Sequence, residues 1–231
     1  MRMRVLSTMG VHGVMQAFGP EFEAAQGVTL AAEFMPTARL LERIRAGERA
    51  DVAILTAEGI DALVAEGVLA GRTNLARSFI GVAVKAGAPH PDITSPEAFV
   101  ATLLAASSVA MSKAGVSGLY MAGLLERLGI AAAVRAKATI LDSGYTASLA
   151  ASGAAELAIQ QVSELMVVDG IEIVGRLPAV LGGESVFSAG LFLEASQDGQ
   201  PLIDALADPA RIPLYRRCGL EPIGVLPAMQ A

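Results

Sequence analysis

Short apolar segments alternate with amphipathic ones along most of this chain, and that alternation limits its fold more than any other feature. Residues 4–7 and 28–35 read as buried strands, and each precedes a stretch with helical spacing of apolar residues, at residues 9–25 and 37–48. In residues 37–48, for example, Leu40 and Ile44 fall on one helix face. Short strands separated by helices are typical of parallel β-α-β units. The sequence therefore predicts an α/β fold.

The order of the elements divides the chain into two α/β blocks. Long extended segments at residues 76–86 and 185–194 lie where one block gives way to the other. This order fits two Rossmann-like lobes joined by two crossing strands. The expected bounds are residues 1–81 plus 188–231 for lobe 1 and residues 82–187 for lobe 2.

Composition excludes several classes of function. The net charge of the 231 residues is -6 and aromatic residues make up 4%, so the basic clusters and stacking rings of a nucleic-acid surface are missing. One cysteine and two histidines are too few for a zinc cluster. We therefore expect no nucleic-acid partner, no metal and no cofactor.

The N-terminal residues bear on localisation. They contain two arginines but no apolar stretch of a secretory leader, which is about 7–15 residues long. No uninterrupted apolar run reaches the length of about 18 residues that a membrane span needs. We expect a cytoplasmic protein if this N-terminus is native, and a periplasmic one if the chain is a trimmed mature form.

Small polar side chains recur where a strand meets the next helix. They comprise Ser7, Thr8, Thr37, Ser112, Ser117, Ser143, Gln160 and Gln161, and Gly144 follows Ser143. In an open parallel sheet such turns lie at the carboxyl ends of the strands, where ligands bind. Helix N-termini there offer free N–H groups and partial positive charge, so the pattern predicts an anion site built from neutral dipoles. Alternatively, each Ser or Thr only caps its own helix.

Five segments follow one another in the order of a known family. They are "VLST", "PTARLLERIRAGERADVAILTAEGIDALVAEGVL", "SKAGVSGLYMAGLLERLGI", "LDSGYTASLAASGAAELAIQQVSEL" and "ADPARIPLYRRCGLEP". Together they resemble the type 2 periplasmic binding proteins, specifically the molybdate-binding branch. The resemblance implies a ligand cleft between two lobes and a small anion bound on closure.

The same resemblance implies which residues bind the anion. Ser7, with Thr8, matches the first oxyanion contact, and Thr37 matches the second. Ser117 and Ser143 fall where backbone N–H groups are used. Gln161 stands where the molybdate binders usually place a Tyr hydroxyl, which changes the geometry of that donor.

Two residues depart from a purely neutral donor set. Arg39 follows Thr37 by two positions, and a guanidinium suits a carboxylate ligand because the two form a bidentate pair. Its alternative role is a solvated helix residue. The unperturbed pKa of a histidine suits an acid/base role, so His12 is a candidate for one. Alternatively, His12 is a surface residue or a helix cap.

Three functions therefore stay open. The first is binding of a molybdate-like oxyanion or a small carboxylate by a monomer, with an ABC importer as partner only if the chain is exported. The second is a cofactor-independent isomerase, because the branch resembles aconitate isomerase, which shifts a proton within an unsaturated tricarboxylate. His12 is then the catalytic candidate, and the further candidates are Lys113, Asp142, Tyr145 and Glu184. The third is an intracellular anion sensor.

Overall fold

The protein is described by a computed structural model that covers residues 2–195 and 198–223. The chain forms two compact units. Unit 1 contains the chain up to Ser78 and again from Ser185, and unit 2 contains Phe79–Glu184. Of the expected lobe 1, residues 1, 196–197 and 224–231 lie outside the described residues.

The described elements alternate strand and helix, as the sequence predicts. The strands are β1 Arg2–Thr8, β2 Thr29–Met35, β3 Val52–Thr56, β4 Thr73–Lys85, β5 Val109–Ser112, β6 Ala138–Leu141, β7 Leu157–Gln161, β8 Ile171–Arg176, β9 Glu184–Leu191 and β10 Glu221–Pro222. The helices are α1 His12–Gln26, α2 Thr37–Arg45, α3 Ala57–Ala65, α4 Pro96–Ala105, α5 Val116–Arg127, α6 Ala131–Arg135, α7 Ala147–Ser152, α8 Val162–Leu165, α9 Gln200–Ala207 and α10 Ile212–Arg217.

The sheet of unit 1 has the order β2-β1-β3-β9-β4, with β10 pairing to β4. Strands β1, β2 and β3 are parallel, and their register sets Thr8 opposite Met35 and Ser7 opposite Ile54. Strand β9 runs antiparallel to β3. The carboxyl ends of β1, β2 and β3 therefore lie along one edge of this sheet.

Alternation along β1 and β3 places apolar side chains on both faces of that sheet. Val5 and Ile54 belong to one core cluster together with Phe18 of α1. Leu6 and Leu55 belong to a second cluster that contains Leu40, Ile44 and Ile60 from α2 and α3. A strand buried on both faces needs this continuous apolar sequence, and each fully buried side chain contributes about 1.5–3 kcal/mol.

The sheet of unit 2 has the order β8-β4-β7-β5-β6. Strand β5 is parallel to both β6 and β7, and the register sets Ser112 opposite Leu141 and Met111 opposite Ile159. Strand β4 runs antiparallel to β7 and β8. The carboxyl ends of β5, β6 and β7 therefore share one edge.

Some details of the fold differ from the sequence prediction. The helix expected from residue 9 begins at His12, because residues Met9–Val11 form a 3-10 turn first. Helix α6 and the short strand β10 were not expected, and β4 begins earlier, at Thr73. The sheets are mixed, since β4, β8 and β9 make antiparallel pairs. No helix among the described residues is long and apolar enough to cross a bilayer.

Candidate functional site

In unit 1, three of the expected donors lie at the shared carboxyl edge. Ser7 and Thr8 end β1, and both are buried. Thr37 is the first residue of α2, directly beyond the end of β2, and is 6% exposed. The parallel register therefore brings the three hydroxyls to the same end of the sheet.

The hydroxyls of this group differ in their hydrogen bonding. Ser7 Oγ donates to the carbonyl oxygen of Thr8 at 3.0 Å. Thr37 Oγ1 is buried and has no hydrogen-bond partner. A buried hydroxyl without a partner costs roughly 1–3 kcal/mol, so proteins rarely retain one without a reason.

Capping, the ordinary role of Ser and Thr at a helix start, does not account for these side chains. Thr56 accepts a hydrogen bond from Gly59 N in α3, and Ser95 accepts one from Ala98 N in α4. Helices α2 and α5, in contrast, have no side-chain cap. Their first N–H groups are consequently left for another acceptor.

In unit 2, two hydroxyls lie at the start of α5 without a partner. Ser112 ends β5, Ser117 lies in the first turn of α5, and both Oγ atoms are buried and unpaired. Gly115 and Gly118 make room for them: a Cβ at Gly115 would lie 2.6 Å from Ser112 Oγ, and one at Gly118 would collide with the carbonyl oxygen of Ser112. The expected donor Ser117 is thus part of a close approach of helix to strand.

This close approach yields a stability prediction. We expect Gly118→Ala to lower the free energy of unfolding by about 1–3 kcal/mol, because the new methyl group must displace the first turn of α5. Gly123→Ala on the same helix is the matched control, since its nearest neighbour is Arg127 Nη1 at 3.6 Å. Thermal unfolding measures both, and equal midpoints for the two variants would contradict the described packing.

Ser143 lies in a loop that a single amide holds in place. The side chain of Ser143 is exposed, and Gly144 has a φ of 94°, which favours glycine. Gln160 Oε1 accepts from Thr146 N at 2.8 Å and from Thr146 Oγ1 at 3.1 Å. Gln160 Nε2 donates to the carbonyl oxygen of Gly144 at 3.1 Å. The role of Ser143 as a backbone donor stays a prediction.

Gln161 and a missed residue, Glu164, lie at the end of β7. Gln161 is fully buried as the last residue of this strand. Glu164 in α8 is 6% exposed, and burial raises its pKa to about 7 although a hydrogen bond from Gln160 opposes the shift. Burial and the charge of Glu164 raise the pKa of Tyr145 to about 12. From sequence, Glu164 looks like an ordinary first-turn glutamate, so only its burial distinguishes it.

The charged candidates lie in more exposed positions. Arg39 Nη1 pairs with Glu42 of its own helix at 3.1 Å, and both side chains are about two-thirds exposed, at 66% and 67%. Lys113 and Asp142, at the ends of β5 and β6, form an exposed pair at 3.0 Å. Exposed pairs contribute little to stability. A bound carboxylate could therefore compete for either cation.

His12 is the first residue of α1 and is partly buried. Its ring lies 4.3 Å from that of Phe34, measured between ring centroids. Burial lowers its pKa, which favours the neutral imidazole. Glu184 is the first residue of β9. The catalytic role of His12 stays a prediction.

The described residues contain no group of three or more His, Cys, Asp or Glu side chains placed to hold a metal ion. The edge of each unit, taken by itself, carries hydroxyl groups that can donate hydrogen bonds, and unit 2 adds the buried carboxyl of Glu164. Unit 1 supplies Ser7, Thr8 and Thr37, and unit 2 supplies Ser112, Ser117 and the Ser143 loop.

Comparison with known proteins places this geometry in a family. Residues 3–221 match the family described as bacterial extracellular solute-binding protein. An aconitate isomerase from Pseudomonas sp. is 33% identical over 233 residues, covering 96% of this chain and 88% of that protein. Among solved structures, the periplasmic molybdate-binding protein of Azotobacter vinelandii superposes with a TM-score of 0.77 at 18% identity, covering 94% of this chain and 98% of that one.

A tungstate-binding protein from Desulfovibrio alaskensis gives a TM-score of 0.66 at 15% identity, covering 96% of this chain and 98% of that one. Likeness at such low identity supports the fold, a mixed α/β architecture of the type 2 periplasmic binding kind. The family match, in contrast, spans nearly the whole length. This chain therefore belongs to the bacterial extracellular solute-binding protein family.

Proposed function

We propose that this protein binds a small anion, either a molybdate-like oxyanion or a small carboxylate, through neutral donors. The observation that carries the proposal is that, within residues 2–195 and 198–223, three buried hydroxyls lack a hydrogen-bond partner, those of Thr37, Ser112 and Ser117. Two of them lie at positions that the family resemblance assigns to the ligand, Thr37 as a contact and Ser117 through its backbone N–H. The further step, that the unpaired hydroxyl of Ser117 donates as well, rests on its burial without a partner. In a transport role, the partner of an exported form would be an ABC importer.

The donor set explains why an anion is the favoured ligand. An unpaired buried hydroxyl gains most from an acceptor that carries charge, since such hydrogen bonds contribute about 1.5–3 kcal/mol each. The uncapped N-termini of α2 and α5 add free N–H groups and partial positive charge at the same edges. A neutral ligand would gain less from the same donors.

A thermal-shift screen tests this function. The anions are molybdate, tungstate, sulfate, phosphate and a set of di- and tricarboxylates that includes trans-aconitate. An anion present at 100 times its dissociation constant should stabilise the protein by about 2.7 kcal/mol. Absence of any shift across the whole set would contradict anion binding.

A second candidate function is isomerisation of aconitate, and two observations favour it. The relative named aconitate isomerase is 33% identical over nearly the full chain. In addition, the buried carboxyl of Glu164 has a pKa near neutrality, as a proton-transfer group requires. Incubation with trans-aconitate in deuterated water, followed by NMR, should show deuterium incorporation and a new isomer. An unchanged spectrum would exclude this reaction.

Substitution of Arg39 tests whether the ligand is a carboxylate or an oxyanion such as molybdate. We expect Arg39→Ala to weaken binding of tricarboxylates about ten-fold or more while changing molybdate or sulfate affinity much less, because a guanidinium forms bidentate pairs with carboxylates. Arg45→Ala is the matched control, since Arg45 ends the same helix and pairs with Glu66. Calorimetric titration measures both variants, and equal losses for both ligand classes would argue against a carboxylate contact.

A further inference from the structure

We propose that Glu164 is a positioning residue for the Ser143–Thr146 loop, acting through the side chain of Gln160, and that anion binding is thereby coupled to uptake of a proton. The coupling to anions rests on the proposed function. The positioning itself concerns unit 2 alone and can be tested without a ligand.

The hydrogen-bonding capacity of Gln160 is fully used. Its Oε1 accepts from Thr146 N and Thr146 Oγ1, and one Nε2 proton goes to the carbonyl oxygen of Gly144. An amide nitrogen carries a second proton, and the remaining hydrogen bond of this side chain joins it to the carboxyl group of Glu164. A single buried amide therefore connects Glu164 to both ends of the loop segment that follows Ser143.

Glu164 is buried without an ion-pair partner among the described residues. Helix α8 packs against β7 and β8, and β7 carries no titratable side chain. On β8, the carboxylate of Glu172 contacts Gly87 N and His90, while the guanidinium of Arg176 lies over the ring of Phe79. Tyr145, in the loop itself, is a titratable group whose pKa is raised by burial and by the charge of Glu164.

The protonation state of Glu164 changes what Gln160 can do. Ionised Glu164 attracts the Gln160 N–H strongly, and a buried negative charge then lies one side chain away from the loop. When Glu164 is protonated, its hydrogen bond with the Gln160 N–H becomes weaker and the buried charge is gone. Because an anion at the Ser143 N–H repels ionised Glu164, binding favours the protonated form, and affinity falls as the pH rises through about 7.

The first experiment uses the protein without a ligand. In 13C NMR with labelled glutamate, the side-chain resonance of Glu164 should titrate near neutral pH, and the backbone amides of Ser143–Thr146 should shift with the same midpoint. In Glu164→Gln that shift of the loop amides should disappear, while Glu172→Gln, a change of an exposed glutamate on β8, should keep it. If the chemical shifts of the loop amides do not change as Glu164 titrates, the positioning role is wrong.

The second experiment measures affinity by calorimetry between about pH 6.5 and about pH 9. The probes are molybdate and tricarballylate, a saturated tricarboxylate that cannot isomerise. Affinity should fall about ten-fold or more over this range, because ionised Glu164 repels the bound anion. In Glu164→Gln the affinity should be nearly independent of pH, and in Glu172→Gln it should vary as in the native protein.

The outcomes of the two experiments separate this inference from the proposed function. If an anion binds and its affinity in the native protein does not change with pH, proton coupling is wrong although anion binding stands. If neither probe binds, these two ligands are removed from the proposed function, and the ligand-free titration of the loop amides alone decides the role of Glu164.

Discussion

Replacing Thr37 by valine and Ser117 by alanine together is expected to lower anion affinity by more than about 100-fold. In the proposed function each hydroxyl donates to a charged ligand, and two such hydrogen bonds contribute about 3–6 kcal/mol together. The ligand-free variant should be as stable as the native protein or more stable, because both hydroxyls are buried without a partner. Calorimetry and urea unfolding measure these two effects separately.

The matched control for this double variant is Ser95→Ala. Ser95 Oγ caps α4 by accepting a hydrogen bond from Ala98 N at 3.1 Å. Its loss should reduce stability by about 1 kcal/mol and leave anion affinity unchanged. If the double variant instead loses stability and keeps its affinity, the two hydroxyls are structural and the site is elsewhere.

Glu164→Gln is expected to change how stability depends on pH by about 3 kcal/mol. The pKa of Glu164 is raised by burial from 4.5 to about 7 in the folded protein. Below about pH 4.5 the carboxyl is protonated in both the folded and the unfolded state. Between that pH and about 7 only the unfolded state is ionised, so unfolding releases a proton and stability falls as the pH rises.

The difference in unfolding free energy between native protein and variant isolates this group. Acids whose pKa is lowered by hydrogen bonds, such as Glu156 and Glu172, lose stabilisation in acid, but they are common to both proteins and cancel. Urea unfolding at several pH values should show the unfolding free energy of the native protein falling relative to that of Glu164→Gln up to about pH 7. Above that pH the difference between the two free energies should stay constant. Parallel curves throughout would contradict a raised pKa for this carboxyl.

The sequence predicts the order of elements because its apolar periodicity is strong. Val5 and Ile54 alternate with Leu6 and Leu55 between the two faces of one sheet, and this pattern is visible without coordinates. The antiparallel pairing of β9 with β3 depends on contacts between residues far apart in the chain, which local pattern does not contain. The extra helix α6 is short, so five residues carry too little periodicity to reveal it.

The sequence predicts at which strand ends the candidate donors lie, but not how their side chains hydrogen-bond. Thr37 and Ser117 follow from the rule that ligands lie at the carboxyl ends of parallel strands. Whether such a hydroxyl caps a helix or stays unpaired depends on atomic geometry: Ser95 and Thr56 cap, whereas Thr37 and Ser117 do not. Glu164 was missed because its burial comes from packing against β7 and β8, which a local pattern cannot show.

The most direct test of anion binding by these hydroxyls is calorimetric titration of the single variants Thr37→Val and Ser117→Ala with an anion that stabilises the native protein. We expect each variant to lose affinity about ten-fold or more, because each lacks one hydrogen bond to the anion. Native affinity in both variants would contradict the claim that these buried hydroxyls hold the anion.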